Sequence, residues 1–162
     1  MVSITEYRLE PASDGRIYVI SEEESNCPLC YGNLKVIGVR NRGTICCDGG
    51  REIYVIRRLC CKLCRKIHHE LPDLIIPYKR HCADTIEKII EDDVADVCCD
   101  FVTEYRIKAW WAATLLYFER VKLSLETKYG VLFSTTLTPR KIVRAIVNTN
   151  LWVHTRTAMT PI

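Results

Sequence analysis

Two Cys-x-x-Cys pairs, Cys27-Pro28-Leu29-Cys30 and Cys61-Lys62-Leu63-Cys64, stand thirty residues apart, and no other feature restricts the fold of this 162-residue chain as strongly. A Cys-x-x-Cys turn aims two thiolates at one centre. Two such turns carried at the ends of a strand pair close a tetrahedron of four sulfurs around Zn²⁺. Four thiolates leave no open coordination position, so the spacing predicts one structural Zn²⁺ held by Cys27, Cys30, Cys61 and Cys64. Its binding would supply folding free energy to a region with too few strands to stand alone. Cys60, His68 and His69 lie close enough in sequence to the second pair to compete for a place in the shell. The ten cysteines are about 6% of the chain, below the roughly 8–10% of a small secreted disulfide scaffold. The chain is also long enough to bury a core without staples. Cysteine spacing is therefore read as metal chemistry in a reducing compartment. Cys46-Cys47 and Cys98-Cys99 are adjacent pairs, which seldom chelate one tetrahedral ion, and are expected to be small buried hydrophobes or idle thiols. A redox Cys-x-x-Cys would open a helix within a βαβ pattern, and no such pattern is present.

Met1 to Glu10 leads into the polar Pro11 to Gly15 rather than into an apolar run, so no signal peptide is expected and the predicted location is the cytoplasm. The longest uncharged apolar stretch, Ala109 to Phe118, has ten residues, against the roughly 20 that a membrane-spanning helix needs. No membrane association is expected.

Local patterns supply the elements. Arg16 to Ile20 reads as a short strand after the Asp14-Gly15 turn. Leu34 to Arg40 and Arg51 to Leu59 alternate like half-buried strands. Asp48-Gly49-Gly50 between them is a turn signal that predicts an antiparallel pair. Beyond Leu71-Pro72-Asp73 the period changes to about 3.6. Ala83 to Glu91 places Ile86, Ile89 and Ile90 on one face, and Thr103 to Lys128 does the same with Ile107, Trp110, Trp111, Leu115, Phe118, Val121 and Leu125. Gly130 supplies a stop. A last helix starts at Thr138, whose hydroxyl can cap it, with Pro139 at the first helical position. The expected fold class is α+β: an N-terminal strand or arm over 1–26, a small β zinc ribbon over 27–80, and an all-α, helix-turn-helix-like domain over 81–162.

A formal net charge of +3 conceals blocks of alternating sign. Residues 27–80 carry eleven bases against four acids, and residues 81–102 carry one base against seven acids. Arg51, Arg57, Arg58, Lys62, Arg65, Lys66, Lys79 and Arg80 gather around the second cysteine pair and its exit, a distribution that suits phosphate contacts. Arg106 and Lys108, with Tyr105, are candidates for a helix laid in a major groove. Trp110 and Trp111 share the spacing of the apolar face and are expected in the core rather than stacked on bases. Glu91-Asp92-Asp93, Asp96 and Asp100 have no histidine partner and no glycine-rich phosphate loop near them, so they read as a solvated helix terminus rather than a divalent-cation site. His81-Cys82 is merely an adjacent pair, and no nucleophilic triad presents itself.

The run Cys27-Pro28-Leu29-Cys30-Tyr31-Gly32, the strands Leu34 to Gly38 and Ile56 to Leu59, the second pair, and above all Ile67-His68-His69-Glu70-Leu71-Pro72-Asp73 with Pro77-Tyr78-Lys79-Arg80 resemble the zinc ribbon of a bacterial family. Members of that family look like the DNA-binding front end of insertion-sequence transposases. Thr103 to Trp111 and Trp152-Val153-His154-Thr155-Arg156 carry the likeness more loosely. The resemblance implies a ribbon followed by a helix-turn-helix-like segment. The expected function is DNA binding, as a transposase-related accessory factor or regulator with no catalysis of its own. The alternative is a protein-interaction adaptor that docks on a recombinase, transposase or polymerase through the Leu115, Phe118 and Val121 face.

Overall fold

A computed structural model describes residues 1–130, 132 and 137–152. Its organising element is β5 (Arg51–Cys61), in which Tyr54, Val55 and Ile56 are buried in succession. Three consecutive buried residues on a strand mean that both faces are covered and that the strand is central. β4 (Leu34–Ile45) pairs antiparallel along one edge of β5, from Leu34 opposite Cys61 to Ile45 opposite Arg51, with a bulge between Val36 and Gly38. The other edge of β5 is shared. β3 (Arg16–Ser21) lies parallel to its first half, Arg16 opposite Ile53, and β6 (Ile67–Pro72) lies antiparallel to its second half, Arg58 opposite His69. β2 (Tyr7–Pro11) extends the sheet beyond β3, and β1 (Val2–Ile4) runs parallel to β6. The result is a curled, mixed sheet of six strands.

This overturns the expected small ribbon followed by an all-α domain. The predicted antiparallel pair exists, but it belongs to a sheet that also recruits the N-terminal residues and the segment after the second cysteine pair. The physical reason is burial. A lone hairpin would leave Tyr54, Val55 and Ile56 open to water on at least one face, and β1, β3 and β6 bring Ile4, Val19 and Leu71 into one cluster with Tyr54 and Ile56. Residues 1–26, expected as an N-terminal strand or arm, carry three strands of the main sheet.

The predicted helices are present as α1 (Ala83–Ile90), α2 (Phe101–Tyr129) and α3 (Pro139–Asn148). Asp100 caps α2 by accepting from the Thr103 N–H at 2.8 Å, and Gly130 ends it in the left-handed conformation at φ 65°. Thr138 caps α3 with Pro139 at its first turn, as the sequence predicts. Ile86, Ile89, Ile107, Trp110, Trp111, Phe118, Ile142 and Ile146 interlock into a helical core that Trp152 closes. α2 carries apolar residues on its outer side as well, with Leu116 and Leu123 exposed. It runs from beside the β4–β5 turn to the first cysteine pair, where the Tyr129 hydroxyl meets Tyr31. α3 is tied to the first strands by Asn148, whose side chain accepts from Ser3 N at 2.7 Å and donates to Ser3 O at 2.9 Å. Val153 to Arg156 of the C-terminal motif lie outside the described residues. Among the described residues, no helix is long and apolar enough to cross a membrane.

Candidate metal centre

Each cysteine pair forms the same backbone turn. Tyr31 N donates to Cys27 O at 2.8 Å and Cys27 N donates to Gly32 O at 3.0 Å; in the second pair Arg65 N donates to Cys61 O at 3.1 Å and Cys61 N donates to Lys66 O at 2.9 Å. The residue after each second cysteine, Tyr31 or Arg65, adopts a left-handed φ of 58° or 60°. The glycine of the first turn therefore does not supply its bend. Gly32 is needed for close approach: a Cβ there would lie 2.8 Å from Leu63 Cδ1 and 3.2 Å from Cys61 Sγ. Lys66, in the matching position of the second turn, is exposed.

The two turns face each other. Cys27 Sγ lies 3.6 Å from Cys64 Sγ, Cys30 Sγ lies 3.5 Å from Cys61 Sγ, and all four sulfurs fall within 4.8 Å of one another. Cys27 and Cys61 are fully buried, while Cys30 and Cys64 are partly exposed. This group can hold a metal ion, and it is the one such cluster of histidine, cysteine and acidic ligands among the described residues. Burial opposes ionisation of the Cys61 thiol. The backbone N–H groups of Cys64 and Leu63, with the thiols of Cys30 and Cys64, outweigh that penalty and bring Cys61 down to about 6.

The competing donors are accounted for. Cys60 Sγ turns to the carbonyls of Cys61 and Arg65, at 3.7 and 3.8 Å. His68 is buried beneath the cluster with Nε2 3.3 Å from Cys27 Sγ, so it contacts a ligand rather than replacing one. Burial holds its pKa below the usual histidine value, so near neutral pH the imidazole is uncharged and can donate to a thiolate. The sequence offered His68 only as a rival ligand; its position follows from β6 pairing with β5, Leu59 opposite His68. Neither His69 nor any of Cys46, Cys47, Cys98 and Cys99 belongs to a metal-type cluster among the described residues. Cys47 Sγ and Cys82 Sγ instead both meet Thr85 Oγ1, at 3.4 and 3.1 Å.

The ten candidate nucleic-acid residues divide. Arg57 is committed to the fold. It makes a two-pronged ion pair with Glu70, whose side chain is 1% exposed, through Nε to Oε2 at 2.5 Å and Nη2 to Oε1 at 2.7 Å. Lys79 sits 3.8 Å over the Trp110 ring, and burial lowers its pKa to about 8. Lys108 pairs with Asp92. Arg51, Arg58, Lys62, Arg65, Lys66, Arg80 and Arg106 have no acidic or aromatic partner among the described residues. Trp110 and Trp111 are 3% and 8% exposed and pack on each other and on Phe118, which places them in the core as expected. Phe118 and Val121, expected on a docking face, are core residues too. In the acidic run, Asp92 holds Lys108 and Asp100 caps α2, and the run forms no metal-type cluster among the described residues. Sequence reasoning passed over Arg40 and Arg42. Their charges, with that of Arg58, reach His69 and help burial to lower its pKa. They sit on β4 opposite Ile56 and Tyr54, a register that only the strand pairing reveals.

A family model described as "Domain of unknown function (DUF6431)" matches residues 27–110, just over half of the chain. The match spans both cysteine turns, β4 to β6, α1 and the first part of α2. No curated protein and no solved structure matches the chain.

Proposed function

This chain belongs to the DUF6431 family, and on that premise we propose that it is a zinc-stabilised DNA-binding protein acting as a transposition-related accessory factor or regulator. Zinc is the metal whose chemistry suits the cluster. A tetrathiolate with Zn–S bonds of about 2.3 Å has sulfur–sulfur edges of about 3.8 Å, close to the 3.5 and 3.6 Å between facing thiols. Cys27, Cys30, Cys61 and Cys64 would hold the ion, and its role would be to lock the open ends of β4 and β5.

One observation carries the DNA reading: Arg58, Lys62, Arg65 and Lys66 surround the second cysteine turn, and none is neutralised by a neighbouring acid among the described residues. Cations left unpaired on a rigid turn are suited to backbone phosphates, which displace counterions on binding. The resemblance of residues 27–80 to the front of insertion-sequence transposases points the same way. A protein-docking role is the second reading. It is favoured by Tyr105, Leu116 and Leu123, which stay 65%, 58% and 64% exposed on α2.

Native mass spectrometry of the full chain should show one zinc. Fluorescence anisotropy on a random-sequence duplex should then show binding that weakens about a hundredfold between about 50 and about 200 mM salt, the loss expected for four phosphate contacts. The triple variant Arg58→Glu, Arg65→Glu, Lys66→Glu should lose duplex binding at the lower salt while keeping its zinc. No duplex binding by the zinc-loaded wild type at about 50 mM salt overturns the DNA reading and leaves the docking role.

A further inference from the structure

At the end of β5 remote from the cysteine turns, a cleft of about 910 Å³ opens between the β4–β5 turn, the segment before α1 and the start of α2. Arg51, Arg80 and Arg106 line it together with His81, Asp100 and Thr103. These three arginines come from separate parts of the chain, and none has an acidic partner among the described residues. Three like charges converging on one cavity repel one another unless an anion sits between them. The single lining carboxylate, Asp100, sets one negative charge against three positive ones, and its Oδ1 and Oδ2 accept from Thr103 N and Thr103 Oγ1, at 2.8 and 2.9 Å, in capping α2.

The walls are fixed by backbone contacts. Cys98 N donates to Cys47 O at 2.6 Å, Ile45 N donates to Arg80 O at 2.8 Å, and Cys82 N donates to Ile45 O at 3.0 Å. Gly49, at φ 80°, lets the hairpin turn close on the segment before α2, where an added Cβ would lie 3.1 Å from Cys98 Sγ. The arginines therefore project from a braced frame rather than from mobile loops.

We propose that this cleft is a phosphate-binding site, in which Arg51, Arg80 and Arg106 clamp the oxygens of a phosphoryl group. Planar guanidinium forks suit tetrahedral phosphate oxygens better than point charges do. The site is distinct from the cations at the second cysteine turn: Arg51 and Cys61 stand at opposite ends of β5, at most about 33 Å apart at the usual strand rise. It extends the DNA reading by assigning a second contact region on the same chain, and a free polyphosphate would meet the same chemistry.

The zinc-loaded full chain is titrated with inorganic pyrophosphate, followed by ³¹P NMR, and separately with a random-sequence duplex, followed by anisotropy. Wild type is compared with Arg51→Gln, Arg80→Gln, Arg106→Gln and, outside the cleft, Arg58→Gln. Each cleft variant should weaken the ligand about tenfold and remove about 0.9 from the salt slope on duplex. Arg58→Gln should leave pyrophosphate binding unchanged. Losses confined to the duplex identify nucleic acid as the source of the phosphate, and losses with pyrophosphate alone identify a free polyphosphate; both support the cleft. The second result leaves duplex binding to the cysteine-turn cations alone, and the DNA reading falls separately, where the wild type binds pyrophosphate but no duplex. Cleft variants that bind both probes like wild type overturn the site, even where the wild type binds duplex through the cysteine-turn cations. A wild type that binds neither probe overturns it as well.

Discussion

The sheet half and the helical half of this molecule are held together by different means. Among the described residues, the helical half buries fifteen apolar side chains in one cluster, including three tryptophans and Phe118. Burial on that scale, at about 25 cal/mol per Å² of apolar surface, sustains a core without help. The sheet half buries only six in its own cluster, from Ile4 to Ile75. It adds four thiols aimed at one point and the ion pair of half-buried Arg57 with buried Glu70. A curled sheet with so small a core leaves its far end to be closed by something other than apolar contact, and the cysteine turns sit at that end. Where the chain cannot bury enough, it places ligands.

Metal removal should break the comparison most visibly. Structural zinc sites contribute roughly 10–16 kcal/mol of apparent binding free energy, so chelation should strip amide-exchange protection from β4, β5 and β6. Protection of α1 and α3 should persist. Simultaneous loss across both halves, followed by hydrogen exchange resolved by mass spectrometry, would show a single cooperative unit and sink the distinction. Next in size is Arg57→Ala. Leaving the Glu70 carboxylate buried without its partner should cost about 3–5 kcal/mol, read as a fall in the denaturant midpoint, whereas Arg58→Ala, on the next residue, should change stability little. Equal effects from the two would contradict the division between a structural and a free arginine.

Asp100→Ala tests the helical half and should cost about 1 kcal/mol, as loss of an N-cap does. Its effect should be the same with and without metal if the halves are separately stabilised. The smallest effect concerns Lys79, over Trp110 where the two halves meet. Its pKa falls from 10.5 to about 8 on folding, so between those values the unfolded chain binds more protons than the folded one. Stability should therefore rise with pH from about 8 to about 10.5 and gain nothing from this group below 8. A thermal melt series of wild type against Lys79→Met should show that rise only in the wild type; parallel curves would exclude it.

How much was legible in the sequence differs between the same two regions. The helices were readable because their signals are local: Thr138 followed by Pro139, Gly130 as a stop, and isoleucines at helical spacing in Ala83 to Ile90. The sheet was legible only as far as its hairpin. β1 has three residues and pairs with Glu70 to Pro72 across most of the sheet region, and so short a strand carries no alternation from which to infer a partner. The cationic residues were visible, but not their commitments. Arg57 and Arg58 are neighbours in sequence, yet one faces a buried carboxylate and the other has no acidic partner among the described residues.

By itself, the sequence determined that four cysteines would converge, because a Cys-x-x-Cys turn sets the direction of both thiols within four residues, and it determined the helices for the same reason of short range. Only the tertiary structure decided that the hairpin would be the spine of a six-stranded sheet, that His68 would lie beneath the cluster rather than in it, and that Arg51, Arg80 and Arg106 would meet in one cleft. Those outcomes depend on which distant segments cover β5. That choice is made by burial of Tyr54, Val55 and Ile56 over the whole chain, not by any local pattern.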